Sequence, residues 1–222
     1  HVPVLHGRTQ VLADSAVEVV AEGIAETCAV GQRSNIAVLV GPLIHSESMD
    51  ITAIDIDKEA VEQAQININA SNWKNRMEVI HTDLCKYSPQ NQFDTIVSNP
   101  PYFIDSLKCP DIQRNTARHT DTLTAESLLV VANELLLPDG KFSMIIPYEQ
   151  TSQIIQKADK IGMYLTKHLT VFTRVGVPPK RSLLEFSKIK EICKNEELTI
   201  ELERHVYTKE YIALTKDFYL KM

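Results

Sequence analysis

The chain of 222 residues carries 23 basic and 29 acidic side chains, which gives a formal net charge of −6, and 44% of its residues are hydrophobic. This size and composition are typical of one soluble globular domain and exclude a disordered or collagen-like chain. The cysteines show no Cys-x-x-Cys spacing, so we expect reduced thiols and no metal site; they are Cys28, Cys85, Cys109 and Cys193.

The sequence also limits the expected location and partners of the protein. No apolar run approaches the roughly 20 residues that a membrane span needs, and the N-terminal residues lack the features of a signal peptide. We therefore expect a cytoplasmic protein with no membrane partner. Because the chain starts at His1 rather than Met, we expect a truncated or processed N terminus. The negative net charge implies that any RNA partner is held by a local basic patch.

The first half of the chain alternates between helical and strand patterns. A capping box at Ser15 and Glu18 predicts a helix over residues 15–30, and a short strand is expected over 35–40. A β-branched run predicts a strand over 51–54 that ends at Asp55, and Asp57 is a natural N-cap for the helix that follows. Further strands are predicted over 77–80 and 93–97, the second ending at a pair of prolines.

The second half begins with a long polar connection over residues 103–121. A helix is predicted over about 124–137, followed by a stop at Pro138-Asp139-Gly140 and a strand over 141–147. The last predicted elements are a helix over about 150–161 and strands over 164–173 and 181–186, which form a hairpin with a basic tip.

This order predicts a three-layer α/β fold. We expect a Rossmann-like, mostly parallel central sheet with helices on both faces and a C-terminal antiparallel hairpin. Ligands of such sheets bind beyond the carboxyl ends of the strands. The acidic and Asn-Pro clusters all follow strands, so the sequence predicts that they share one crevice.

Asp55 and Asp83 are candidate cofactor ligands at two of these strand ends. In doubly wound folds a carboxylate at the position of Asp55 accepts hydrogen bonds from ribose hydroxyls, and Asp83 is placed to accept from an adenine amino group. Turn and capping roles are the alternative for both residues. Their neighbours Ile56 and Leu84 complete the predicted cofactor surface, together with Asn99.

Asn99-Pro100-Pro101-Tyr102 is the most specific chemical signal in the chain. Two prolines remove two N–H donors and stiffen the backbone, so its carbonyls and the Asn99 oxygen form a pair of acceptors. Such a pair holds both hydrogens of an aromatic amine and favours the pyramidal, nucleophilic nitrogen as the transition state approaches. Tyr102 would stack on the base. A plain surface turn is the alternative.

Together these motifs resemble a known family. Residues 51–57, 79–84 and 97–103 are similar to S-adenosylmethionine-dependent amino-methyltransferases, in which Asn-Pro-Pro-Tyr is shared by several subfamilies. Residues 114–128, 178–186 and 207–220 resemble the bacterial tRNA(Val) adenine N6-methyltransferases. The resemblance implies S-adenosylmethionine as cofactor, tRNA as substrate and nucleotide 37 as target. Methylation of protein glutamine or rRNA guanine is the alternative within enzymes.

The resemblance covers residues 51–222, which we expect to form the methyltransferase domain. Residues 1–50 are a segment of uncertain identity, with a helix and a strand. Members of the family carry a glycine-rich cofactor loop at this point, whereas this chain has only Gly41 there, followed by Pro42. A different module, missing residues or lost cofactor binding would each explain the departure, and we favour the first two. The third would leave a non-catalytic RNA-binding module.

Two groups of basic residues are candidates for RNA binding. One follows the Asn-Pro-Pro-Tyr motif and the other lies on the predicted hairpin, and the alternative is scattered surface charge. The candidates are Lys108, Arg114, Arg118, Lys180 and Arg181, with Arg174 beside the last two.

Overall fold

A computed structural model describes residues 51–72, 74–100 and 123–216. The predicted helix over residues 15–30 and the predicted strand over 35–40 lie outside the described residues. The strands are β1 (Ile51–Asp55), β2 (Met77–His81), β3 (Phe93–Ser98), β4 (Leu136–Pro147), β5 (Tyr164–Arg174), β6 (Arg181–Ser187), β7 (Lys194–Glu203) and β8 (Val206–Tyr207). The α-helices are α1 (Lys58–Ala70), α2 (Ala125–Leu135), α3 (Thr151–Lys160) and α4 (Lys209–Thr215).

Two sheets are formed by these strands. β1 and β2 pair in parallel, and the other strands form a six-stranded sheet in the order β3-β4-β6-β5-β7-β8. Within the described residues three strand pairs are parallel and three are antiparallel, so the sheets are mixed. The β5–β6 pair is the predicted C-terminal hairpin, and it is antiparallel as expected.

Helices cover both faces of the six-stranded sheet. Alternate residues of β4 point to opposite faces, and Phe142 and Met144 lie in one hydrophobic cluster while Ile145 lies in another. α2 and α3 pack on the first cluster, and Tyr211 of α4 packs on the second. This arrangement confirms the predicted placement of helices on both sides.

The local signals account for several of these boundaries. Asp57 is the N-cap of α1, and its side chain accepts from the backbone N–H groups of Glu59 and Ala60 at 2.9 and 3.3 Å. Thr124 caps α2 in a capping box with Ser127. β3 ends at Ser98, directly before Asn99 and the prolines, as predicted.

The predicted stop at residues 138–140 was wrong, because β4 already starts at Leu136 and α2 ends at Leu135. Phe93 of β3 pairs with Leu136 and Thr95 pairs with Lys141, so β3 contributes one residue between these pairs and β4 contributes four. Proline has no N–H for the ladder, and the register shift accommodates it. The turn signal therefore marks an irregularity inside a strand. β7, β8 and α4 were not among the predicted elements.

Candidate active site

The carboxyl ends of β3 and β4 and the tip of the β5–β6 hairpin lie at one edge of the six-stranded sheet. Ser98 of β3 pairs in parallel with Met144, and Pro147 of β4 pairs antiparallel with Arg181 at the start of β6. Lys180 is tied to the same edge, because the backbone N–H of Tyr148 donates to its carbonyl at 3.2 Å. The sheet thus brings Asn99 and two of the predicted basic residues to the same side of the molecule.

At this edge Asn99 is half-buried and Pro100 is buried. Within the described residues the Asn99 amide makes no hydrogen bond, and its oxygen is the first predicted acceptor. Pro100 has no N–H, and its carbonyl is the second predicted acceptor. The other members of the motif, Pro101 and Tyr102, lie outside the described residues.

The end of β1 carries the first predicted cofactor carboxylate. Asp55 Oδ1 accepts from the backbone N–H of Asp57 at 2.8 Å, which closes a tight turn. Within the described residues Oδ2 of Asp55 makes no hydrogen bond. Ile56 follows with 61% of its surface exposed. A carboxylate oxygen beside an exposed apolar side chain fits the ribose and the adenine face of a nucleoside, which is the part of S-adenosylmethionine expected here.

The end of β2 carries the second carboxylate. Asp83 Oδ1 accepts from the backbone N–H of Cys85 at 2.9 Å, so the residue caps the short helical turn Leu84–Lys86. Its Oδ2 lies 3.8 Å from Nζ of Lys86, an exposed ion pair that adds little stability. Both the capping role and the predicted adenine contact are open to this side chain, because a carboxylate accepts several hydrogen bonds.

His81 is a contributor that the sequence analysis did not single out. Its Nε2 lies 3.0 Å from the carbonyl oxygen of Ile56, which can only accept, so Nε2 carries the hydrogen. The backbone N–H of Thr82 also donates to the carbonyl of Asp55 at 2.9 Å. These two bonds fix the turn after β1 against the end of β2. No sequence signal indicates this contact, since it depends on the strand register that pairs His81 with Asp55.

The loop after β2 packs against the hydrophobic core of the six-stranded sheet. Leu84, predicted as a cofactor contact, is half-buried and packs against the same hydrophobic cluster as Ile96 of β3. Gln92 Nε2 also donates to the carbonyl of Glu134 in α2 at 2.9 Å. Leu84 therefore serves the packing between the loop after β2 and the main sheet, whatever else it contacts.

Of the predicted basic residues, the structure describes Lys180 and Arg181, together with Arg174. Lys180 is exposed, Arg181 is half-buried, and Nη1 of Arg181 donates to the Lys180 carbonyl at 3.0 Å. Arg174 ends β5, is exposed and pairs in register with Glu201 of β7. The remaining candidates, Lys108, Arg114 and Arg118, lie outside the described residues.

Comparison with known proteins places the chain in a family. The sequence model of the methyltransferase small domain matches residues 37–158, more than half of the chain. The chain belongs to the methyltransferase small domain family. The match begins before Ile51, where the predicted resemblance starts, so the likeness extends further toward the N terminus than the motifs alone indicated.

Curated relatives agree with this membership. The chain is 49% identical over 178 residues to a Bacteroides fragilis protein named tRNA1(Val) (adenine(37)-N6)-methyltransferase, with 79% of this chain and 75% of that protein covered. Proteins of the same name from Phocaeicola vulgatus and Tolumonas auensis are 51% and 36% identical, with 78% and 87% of this chain and 74% and 81% of those proteins covered.

Solved structures support the fold. A predicted O-methyltransferase from Agrobacterium tumefaciens matches with a TM-score of 0.62 at 15% identity, covering 90% of this chain and 95% of that one. The glycopeptide N-methyltransferase MtfA matches with a TM-score of 0.52 at 11% identity, covering 84% of this chain and 99% of that one. Together the comparisons confirm the predicted family, the Rossmann-like fold and the enzyme class, an S-adenosylmethionine-dependent methyltransferase.

Proposed function

We propose that this methyltransferase transfers a methyl group to N6 of an adenine in tRNA, with nucleotide 37 of tRNA(Val) as the target. The names of its curated relatives support the substrate. The observation that carries the chemistry is the end of β3, where the half-buried Asn99 and the buried Pro100 meet the edge of the sheet. A cytoplasmic location follows from this substrate.

Asn99 and Pro100 act on the amine of the target base. The Asn99 side-chain oxygen and the Pro100 carbonyl each accept one hydrogen of the NH₂ group, which holds the nitrogen pyramidal and directs its lone pair away from the ring. The amine gains a methyl group and loses a proton to water, so no side-chain base is needed. Tyr102 stacks on the base and sets its plane.

The cofactor, S-adenosylmethionine, supplies an electrophilic methyl group when bound. Asp55 accepts hydrogen bonds from its ribose hydroxyls, and Ile56 covers one face of its adenine. Asp83 accepts from the adenine amino group, and Leu84 packs beside it. The geometry at the ends of β1 and β2 supports this assignment, since the turn that carries Asp55 is fixed by the hydrogen bonds from His81 and Thr82.

The basic residues hold the tRNA backbone. Lys180 and Arg181 lie at the same edge of the sheet as Asn99, which supports phosphate contacts close to the target nucleotide. Lys108, Arg114 and Arg118 follow the Asn-Pro-Pro-Tyr motif in sequence and are proposed to contact the same RNA. Ion pairs with phosphates release counterions, so binding weakens steeply as salt is added.

The substitution Asn99→Ala tests the role of the amine acceptor. Removing one of the two acceptors should lower the single-turnover rate of tRNA methylation by roughly 10²-fold or more, the scale seen when one preorganised transition-state hydrogen bond is deleted. The rate is measured with radiolabelled S-adenosylmethionine and unmodified tRNA.

Asn75→Ala is the matched control, because Asn75 is exposed and precedes β2 at the opposite end of that strand from Asp83. We expect this variant to methylate at the wild-type rate. A near-normal rate for Asn99→Ala would remove Asn99 from the mechanism.

A further inference from the structure

Tyr148 is an aromatic residue with no role in the chemistry described so far. It follows the end of β4, begins the short helical turn Tyr148–Gln150, and has 40% of its surface exposed. Within the described residues its ring contacts no other aromatic ring and its hydroxyl makes no hydrogen bond. Exposed large aromatics of this kind are the side chains on which unpaired bases stack.

The backbone of Tyr148 is fixed on both sides. Its N–H donates to the carbonyl of Lys180 at 3.2 Å, and its carbonyl accepts from Oγ1 of Thr151 at 2.7 Å. The Thr151 hydroxyl is buried, and its hydrogen is used in this bond. A residue held at both backbone groups presents its side chain from a preorganised position, which lowers the entropic cost of binding.

A buried polar chain supports this bond from behind. Because Thr151 uses its hydrogen on Tyr148, the Ser182 hydroxyl, 2.7 Å away, donates to Thr151. Ser182 has then used its own hydrogen, so Nε2 of His168, 3.0 Å away, donates to Ser182. Two strands, β5 and β6, and the start of α3 are thus connected to the Tyr148 carbonyl by hydrogen bonds that run in one direction.

Tyr148 lies close to the proposed target position but does not coincide with it. Ser98 pairs with Met144, so Asn99 is level with Ile145 of β4. Tyr148 follows three residues after Ile145, just past the end of that strand. At strand dimensions this is about 10 Å along the sheet and about 5 Å across it. The exposed Lys180 is hydrogen-bonded to Tyr148, and Arg181 adjoins it.

We propose that Tyr148 is a base-stacking residue that binds an unpaired nucleotide neighbouring the target adenine, while Lys180 and Arg181 contact the adjoining phosphates. Thr151, Ser182 and His168 are positioning residues for it. The separation from Asn99 assigns Tyr148 to a flanking nucleotide rather than to the target base, so it contributes to the choice of RNA rather than to the amine chemistry. This inference rests on the proposed function, since it requires an RNA substrate.

The test is the steady-state kinetics of tRNA methylation by the full chain. Tyr148→Ala should raise KM for tRNA about 5- to 150-fold, the range for losing one aromatic–base stack, with a smaller change in kcat. Tyr148→Phe keeps the ring and should retain KM within about threefold of wild type. Tyr207→Ala is the matched control, because Tyr207 is similarly exposed but lies on β8. β8 and β3 are the two outermost strands of the six-stranded sheet, on opposite sides of it.

Each outcome has one meaning. An unchanged KM in Tyr148→Ala, or a loss in kcat alone, overturns the stacking role. Equal losses in Tyr148→Ala and Tyr148→Phe also overturn it, because the hydroxyl rather than the ring would then be responsible. A lowered melting temperature that accounts for the loss assigns a structural role instead. If wild-type protein methylates no tRNA, the proposed function itself fails, independently of Tyr148.

Discussion

In the proposed mechanism, single side chains at the strand ends decide the chemistry of this methyltransferase. One carboxylate oxygen of Asp55 closes the turn to Asp57, and the other, which makes no hydrogen bond within the described residues, is the one we assign to the ribose in the proposed function. Its position after a β-branched run predicts the cofactor role, which stays a prediction, whereas the turn role given as its alternative is observed. The contact between His81 and the carbonyl of Ile56 was not predictable, since it depends on the pairing register of β1 and β2.

The substitution Asp55→Asn tests the cofactor assignment. Asparagine keeps an acceptor for the N–H of Asp57 but presents an NH₂ group where the ribose needs an acceptor. The dissociation constant of S-adenosylhomocysteine, measured by calorimetry, should rise about 10- to 150-fold, as expected for losing a hydrogen bond to a charged group.

Asp57→Asn provides the comparison for Asp55→Asn, because asparagine is an equally good N-cap and the residue faces α1 rather than the proposed ligand. Cofactor affinity should stay within about twofold. Equal affinity in both variants would contradict the role of Asp55.

The strands and helices position these side chains, and β4 is the strand whose start the sequence pattern does not predict correctly. The Pro138-Asp139-Gly140 signal was read as the end of a helix, whereas the chain passes through it within one strand. Local turn preference is overridden here because the residues on both sides pair with β3. The predicted N-cap Asp57 and the predicted helix start near residue 124 are confirmed, since both depend on neighbours in sequence, whereas the pairing of β7 with β5 depends on residues far apart.

Gly140 is required by the irregularity in β4. A Cβ at this position would lie 2.8 Å from Cγ and Cδ1 of Leu136 and 2.9 Å from the carbonyl oxygen of Asp94. Gly140→Ala should therefore lower the free energy of unfolding by about 1–3 kcal/mol, the usual cost of overpacking, as measured by urea denaturation. Asp139→Ala, at the exposed neighbouring position, should change it by less than about 0.5 kcal/mol. Equal stabilities of the two variants would show that the strand adjusts freely.

The polar chain at His168 makes stability depend on pH. Burial lowers the pKa of His168 from its ordinary value of 6.5, because the charged imidazolium is poorly solvated there. The unfolded chain therefore binds a proton at a higher pH than the folded chain does. The stabilisation from neutral His168 is fully present above about pH 6.5 and is lost as the pH falls through the lower folded pKa.

In His168→Gln the pH-dependent part of the free energy of unfolding should be smaller, because glutamine also donates to Ser182 but does not titrate. Urea unfolding at pH 7.5, 6.5 and 5.5 measures the difference between variant and wild type. Identical pH profiles would exclude His168 as the source.

At the scale of the whole molecule, the parallel pairing of β3 with β4 and the antiparallel pairing of β4 with β6 bring Asn99, Lys180 and Arg181 to one side of the six-stranded sheet. The alternation of strands and helices made the fold class predictable, and the family comparisons confirm it. The division of the chain at residue 50 stays a prediction, and the family match begins at residue 37.

None of the helices in the described part of the chain is long and apolar enough to cross a bilayer. We propose that binding to tRNA depends on the local basic residues at the sheet edge, because the net charge of −6 opposes a general attraction to RNA. The placement of Lys180 and Arg181 beside the end of β4 could not be read from sequence, since it follows from the antiparallel pairing of β4 with β6.

The identity of the methylated group tests the central claim most directly. The full chain is incubated with radiolabelled S-adenosylmethionine and, in parallel, with unmodified tRNA, rRNA and a glutamine-containing protein acceptor, and each product is digested and separated. The account predicts label in N6-methyladenosine from tRNA. Label in methylguanosine from rRNA or in methylglutamine from protein, with none in tRNA adenosine, would contradict it.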